Sequence, residues 1–230
     1  MTSPPPIKRQ KTMRRFLFVF NQTHPNFRFA EFRAVCDLFQ IPFDEKQLLT
    51  NEHLHIFEYK NEDGVKKILS RATLLRAVYE LFFEASDLDE METKMRENSK
   101  VFEVYNNEAE TWKFQIRPQG KRPDSDRITE LRERFTPLLK NDRAPVSLEN
   151  PKHEFTLIED FLTIPAENRK IYFGRKIGDG QYLLKSRYNL KDRKYIGNST
   201  MDPELAFIQA NLIHAQPNSI ILDPFSGTGS

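Results

Sequence analysis

Ile220-Ile221-Leu222-Asp223-Pro224-Phe225-Ser226-Gly227-Thr228-Gly229-Ser230 is the stretch on which the fold assignment turns. Three branched apolar residues in a row, after the turn-like Gln216 to Ser219, suit a short central strand of a parallel sheet. The run ends on an acid, and two glycines follow it. Paired glycines let backbone come close to a ligand at the carboxyl edge of a sheet, where doubly wound folds bind nucleotides. A Gly-x-Gly pair also serves as a plain strand-to-helix turn, so the flanking residues have to decide. Dinucleotide sites run the strand straight into the glycines, and phosphate loops continue with Lys-Ser/Thr; neither pattern is present. A carboxylate four residues before the first glycine suits a cationic, zwitterionic ligand better than a pyrophosphate.

Upstream, Asp202-Pro203 marks a helix start, because the carboxylate caps free amides and proline fits the first helical position. Leu205, Ile208, Leu212 and Ala215 then share one face. From Tyr195 to Ser230 there are three acids and no Lys or Arg, whereas residues 169 to 194 hold nine bases against two acids. That break places a boundary near 190 to 195.

Asp223 to Ser230 resembles the first motif of S-adenosylmethionine-dependent methyltransferases. Together with Tyr195-Ile-Gly-Asn-Ser-Thr-Met-Asp-Pro-Glu-Leu-Ala-Phe207, the chain is similar to the tRNA guanine-N2 methyltransferases that carry a THUMP RNA-binding domain and modify the tenth nucleotide of tRNA. The specific motifs span about residues 187 to 230. The resemblance implies S-adenosylmethionine as cofactor, with Asp223, Phe225, Gly227 and Gly229 in its loop and Thr200 and Pro203 beside its pocket. It implies tRNA as substrate and a small zinc-binding activator subunit as partner. The implied fold is α+β: a ferredoxin-like and THUMP RNA-binding region, then the truncated start of a Rossmann-like α/β methyltransferase domain. The corresponding division is a basic disordered tail over 1–13, the RNA-binding region over 14–190 and the methyltransferase start over 191–230. The family's Asp/Asn-Pro-Pro-Tyr/Phe catalytic motif does not occur in these 230 residues, so no catalytic residue is assigned and this chain alone is expected to be inactive. The alternative is a non-enzymatic fragment or isoform that binds tRNA without methylating it.

The amino-terminal part reads independently as mixed α and β. Arg15 to Phe20 suggests a buried strand, Phe27, Ala30, Ala34 and Leu38 a helix, and Leu54 and Ile56 a half-buried strand. From Glu62, the positions Val65, Ile68, Ala72, Leu75, Tyr79 and Phe82 predict one long helix. Trp112, Phe114 and Ile116 alternate with Lys113, Gln115 and Arg117, predicting a strand with a basic, solvent-facing side. Ile128, Leu131, Phe135 and Leu138 mark a further helix, and strands are expected around 155–158, 171–175 and 182–185. Helices on one side of a sheet follow from this order.

Charge identifies candidate partners. Lys+Arg 35 against Asp+Glu 33 gives a net +2, which hides the clustering. The first 15 residues carry five bases and no acid. Residues 169 to 194 interleave bases with Tyr172, Phe173, Tyr182 and Tyr188, a composition that suits phosphate neutralisation and stacking on unpaired bases. The RNA-contact candidates are Arg71, Arg76, Lys113, Arg117, Arg175, Lys176, Lys185 and Arg187, each weighed against an ordinary solvated or salt-bridged position. The single Cys36 forms no internal disulfide, and the five histidines lack metal-ligand spacing, so no metal site is assigned. The longest strongly apolar run, Phe16 to Phe20, is too short for a membrane span or signal peptide, which points to a reducing, cytoplasmic setting.

Overall fold

The computed structural model describes residues 13–48, 52–122, 124–139, 142–195, 197 and 200–227. Arg14–Phe20 forms β1, and its five residues from Phe16 onward are buried on both sheet faces. A strand of that kind must lie inside a sheet, and β1 is hydrogen-bonded on both sides. The other strands are β2 (Leu54–Tyr59), β3 (Leu75–Ala85), β4 (Trp112–Ile116), β5 (His153–Glu159) and β6 (Ile171–Asp179). They form one six-stranded sheet in the order β2-β1-β3-β6-β5-β4, antiparallel throughout except for the parallel pair β4 and β5.

One row of cross-strand partners explains how the sheet is dressed. Phe57, Phe16, Glu80, Arg175, Phe155 and Phe114 face one another in succession from β2 to β4, and therefore point to the same face. Helices α1 (Arg28–Phe39) and α2 (Asp63–Leu69) cover the first part of that face through Phe32, Val35, Val65 and Ile68. Helices α3 (Leu88–Glu97) and α4 (Ser125–Phe135) cover the second part through Met91, Met95, Leu131 and Phe135. The expected arrangement of helices on one side of a sheet is what forms. Cys36 lies wholly inside the first core, where burial pushes its thiol up to about 12.

Between the two aromatic cores runs a charged seam. Arg175 donates to Glu80 at 2.8 and 3.1 Å and pairs with Glu62, while Arg14 bonds the other oxygen of Glu80 and reaches Glu62 at 3.3 Å. The Arg175 guanidinium also lies over the Tyr105 ring, 5.5 Å from its centre. On the opposite face the sheet curls, so that His53 at the start of β2 comes within 3.3 Å of Asp160 at the end of β5.

Three expected elements differ. The long helix from Glu62 stops at Leu69, and Leu75–Ala85 is instead an 11-residue strand. Glu31 accepts the backbone N–H groups of Thr73 and Leu74 at 2.9 and 2.7 Å, capturing donors that a continuing helix would use internally. β3 is buried over most of its length, and its large apolar residues coincide with helical spacing at Leu75, Tyr79 and Phe82. The expected strand over 182–185 is instead a turn leading into the short helix α5 (Leu184–Arg187): β6 ends at Asp179, and the Gly180 and Gln181 N–H groups donate to the carbonyls of Arg76 and Ala72, with Gly180 packed so that a Cβ would lie 1.8 Å from the Leu75 carbonyl oxygen. Ile220 to Leu222 form no strand: Leu222 is 87% exposed, and a short apolar strand needs neighbours on both edges. The helix start at Asp202-Pro203 does form. In α6 (Pro203–Leu212), the Asp202 carboxylate accepts from the Glu204 N–H at 2.8 Å and Pro203 takes the first position.

Candidate nucleic-acid interface and cofactor loop

The start of β3, the end of β6 and the turn after β4 enclose a groove of about 350 Å³. Arg76 comes from β3, Lys176 from β6, Arg117 from the end of β4, and Lys121 and Arg122 from the following turn. The acid among the lining residues is Asp179, which Lys176 reaches at 2.8 Å. Glu154 bonds Lys113 at 3.1 Å and lies 3.9 Å from both Arg117 and Lys176, so it tempers that side of the groove. Arg76 and Arg122 are exposed and form no ion pair among the described residues; Lys121 lies 5.7 Å from the Phe161 ring centre. Tyr79 and Tyr182 supply aromatic surface, and burial drives the Tyr79 hydroxyl pKa up, which keeps it a neutral hydrogen-bonding group. The turn is held by Gly120 at φ +86°, a backbone geometry suited to glycine, with the Leu162 side chain packed where a Cβ would stand. A groove with excess positive charge, aromatic walls and exposed guanidinium groups is chemically matched to a phosphate backbone.

The eight RNA-contact candidates separate by what reaches them first. Arg76, Arg117 and Lys176 meet in the groove, and Lys113 stands beside it on Glu154. Arg175 is turned into the seam, its side chain 11% exposed, and is unavailable to a ligand. Arg71 is spent on α6, donating to Asn211 at 2.6 Å and to the carbonyl of Ala215. Lys185 reaches Glu204 at 3.5 Å, and Arg187 is exposed at the end of α5, away from the groove lining. Lys121 and Arg122 escape a reading by spacing; their signal is the turn-forming Gly-Lys-Arg in a base-rich segment.

The cofactor-loop candidates are not gathered into a pocket. Asp223 accepts the Phe225 N–H at 2.8 Å, closing a small turn, and Phe225 is 92% exposed. Gly227 adopts φ +52°, the left-handed conformation a glycine loop requires, with open space around it. Gly229 lies outside the described residues. Thr200 donates to the Gly197 carbonyl at 3.1 Å, and Pro203 begins α6. The Asp223 carboxylate is exposed, four residues before the left-handed Gly227. Among the described residues no group of three His, Cys, Asp or Glu could hold a metal, and no helix is long and apolar enough to cross a membrane.

The fold is a curled mixed sheet with helices on one face and a basic groove at one end. In overall fold it is like two bacterial proteins, a predicted N6-adenine-specific DNA methylase from Listeria monocytogenes and a possible methylase from Clostridium difficile. Each has a TM-score of 0.51 over 95% of this chain and 53% of the other, at 13% and 15% identity. At that identity the likeness concerns fold alone. Residues 14–182 match the Tmrp11 THUMP N-terminal domain, and the chain belongs to that family. It is 29% identical over 226 residues to the tRNA (guanine(10)-N(2))-methyltransferase of Saccharomyces cerevisiae, covering 95% of this chain and 51% of that protein. The human tRNA (guanine(10)-N(2))-methyltransferase TRMT11 is 30% identical over 229 residues, covering 95% and 48%. The chain spans about half the length of the curated relatives it matches.

Proposed function

We propose that this chain is the tRNA-binding half, with the opening of the cofactor site, of an S-adenosylmethionine-dependent tRNA guanine(10)-N2 methyltransferase. The observation that carries the reading is the groove in which Arg76, Arg117, Lys121, Arg122 and Lys176 converge within the matched THUMP family region. Transfer of a methyl group to an exocyclic amine depends mainly on holding the amine against the donor and excluding water. The residues here act on the first requirement: the groove holds the RNA, and α6 leads to the loop that would take the donor. S-adenosylmethionine supplies an electrophilic methyl when bound; Asp223 and Gly227 are the residues that would face its polar end. The domain limits 14–190 and 191–230, a cytoplasmic location and a zinc-binding activator subunit belong to the same reading, and no described residue is assigned to the activator.

Gel shifts of this chain with tRNA across a salt series test it. The expected outcome is binding that weakens steeply with salt, and methylation of guanosine 10 by the full-length protein. No tRNA binding at low salt would overturn the RNA reading. Binding without methylation by the full-length protein would leave a non-enzymatic tRNA-binding module.

A further inference from the structure

Helix α6 is anchored to the amino-terminal layer by polar groups that are almost wholly buried. Asn211 is 3% exposed and Glu31 1%. The Asn211 amide donates to Glu31 at 2.7 Å and to the Arg71 carbonyl at 3.1 Å, and its oxygen accepts from Arg71 at 2.6 Å. Arg71 also donates to the carbonyls of Ala210 and Ala215, gripping the helix end and the residues after it. At the other end, Glu204 accepts from Thr23 at 3.3 Å and Lys185 at 3.5 Å. Buried polar groups are costly without partners, so this set permits one register of α6. Turning the helix by one residue, about 100°, would break the bonds of Asn211 to Glu31 and Arg71.

The clasp and the groove share a scaffold. Gln181 ties the end of β6 to the end of α2 by donating to the carbonyls of Ala72 and Leu69, both at 2.8 Å. Tyr182 lines the groove, and Lys185 three residues later reaches α6. From Ala215 to Asp223 the chain can extend at most about 28 Å.

We infer that Asn211, held between Arg71 and Glu31, is a positioning residue that fixes α6 and so sets how far the Asp223–Gly227 loop stands from the RNA groove. The inference rests on the function proposed above. Asn211→Ala tests it without dismantling the sheet, because Glu31 keeps its bonds to the N–H groups of Thr73 and Leu74. In this chain, hydrogen exchange followed by mass spectrometry should show α6 amides exchanging at least tenfold faster, with β1 and β3 unchanged within twofold. In the full-length methyltransferase, kcat at saturating tRNA should fall at least tenfold while the Kd for tRNA stays within twofold. Arg71→Ala is the second variant and should behave alike if N211A does not fold. Unchanged exchange in α6, or a loosened α6 with unchanged kcat, overturns the inference. A wild-type full-length protein without methyl transfer would instead refute the functional reading, and the exchange arm would still judge the clasp.

Discussion

Arg175 to Met separates a residue that holds the fold from one that holds RNA. The substitution removes a guanidinium whose side chain is 11% exposed and leaves Glu80 and Glu62, 10% and 18% exposed, short of a counter-charge. Deleting one partner of a buried pair costs about 3–5 kcal/mol, because the remaining charge is uncompensated. Arg14 keeps its bonds to both glutamates, which sets the expectation at the lower end, about 3 kcal/mol. For a chain of this size each kcal/mol moves Tm by about 2–4 °C, so R175M should melt about 6–12 °C below wild type. Differential scanning calorimetry at pH 7 reads the shift, and tRNA binding measured well below both transitions should stay within twofold. The double variant R175M/E80M removes both charges and should recover at least half of the loss. A variant with wild-type Tm and abolished tRNA affinity would refute the reasoning and return Arg175 to the RNA surface.

The groove makes a different prediction: Arg76→Ala and Arg122→Ala should leave Tm within about 1 °C, as surface changes do. Each should weaken tRNA binding and shrink the slope of log affinity against log salt by about 0.7–0.9 for every phosphate no longer neutralised, read from the gel-shift series. Acid should unfold the chain through the seam. Burial alone would raise the Glu62 carboxyl, but Lys66 and Arg175 outweigh it and hold it at about 2, below its ordinary 4.5. A depressed folded-state pKa contributes stability above 4.5 that is lost as pH falls towards 2, so Glu62→Gln should flatten the acid limb of a stability–pH profile, measured by urea melts. Gly180→Ala should destabilise by roughly 1–3 kcal/mol in the same melts, since its Cβ would collide with the Leu75 carbonyl rather than with a movable side chain. An unchanged midpoint would mean that the β6 end shifts freely.

What the sequence disclosed was local in origin. Alternation at Trp112, Phe114 and Ile116 identified β4, and spacing at Ile128, Leu131 and Phe135 identified α4, because in each case one face is buried and the other half-buried or exposed. β3 misled for another reason: Val78 and Phe82 interrupt the polar positions Arg76, Glu80 and Glu84, most of the strand is buried, and its large residues Leu75, Tyr79 and Phe82 continue the helical spacing of Val65 and Ile68. The cap at Asp202-Pro203 was legible since all its parts lie within three residues. The Ile220 to Leu222 run has the composition of a strand, but composition supplies no hydrogen-bonding neighbour.

The division among the basic side chains follows from the same limit. Arg175 and Glu80 are 95 residues apart, and Asn211 and Glu31 180 apart, so nothing in the spacing announces either pairing. A clustered run of bases therefore overcounts an RNA surface by every base that a distant carboxylate or carbonyl reaches once the chain folds. Of the eight candidates, Arg76, Arg117 and Lys176 line the groove; Arg71, Lys113, Arg175 and Lys185 are bonded to groups elsewhere in the fold, Arg187 is exposed away from the groove, and proximity adds Lys121 and Arg122 from a turn that periodicity passed over. Two of these bases serve the fold instead: Arg175 joins the two cores between which the charged seam runs, and Arg71 joins the segment after α2 to α6.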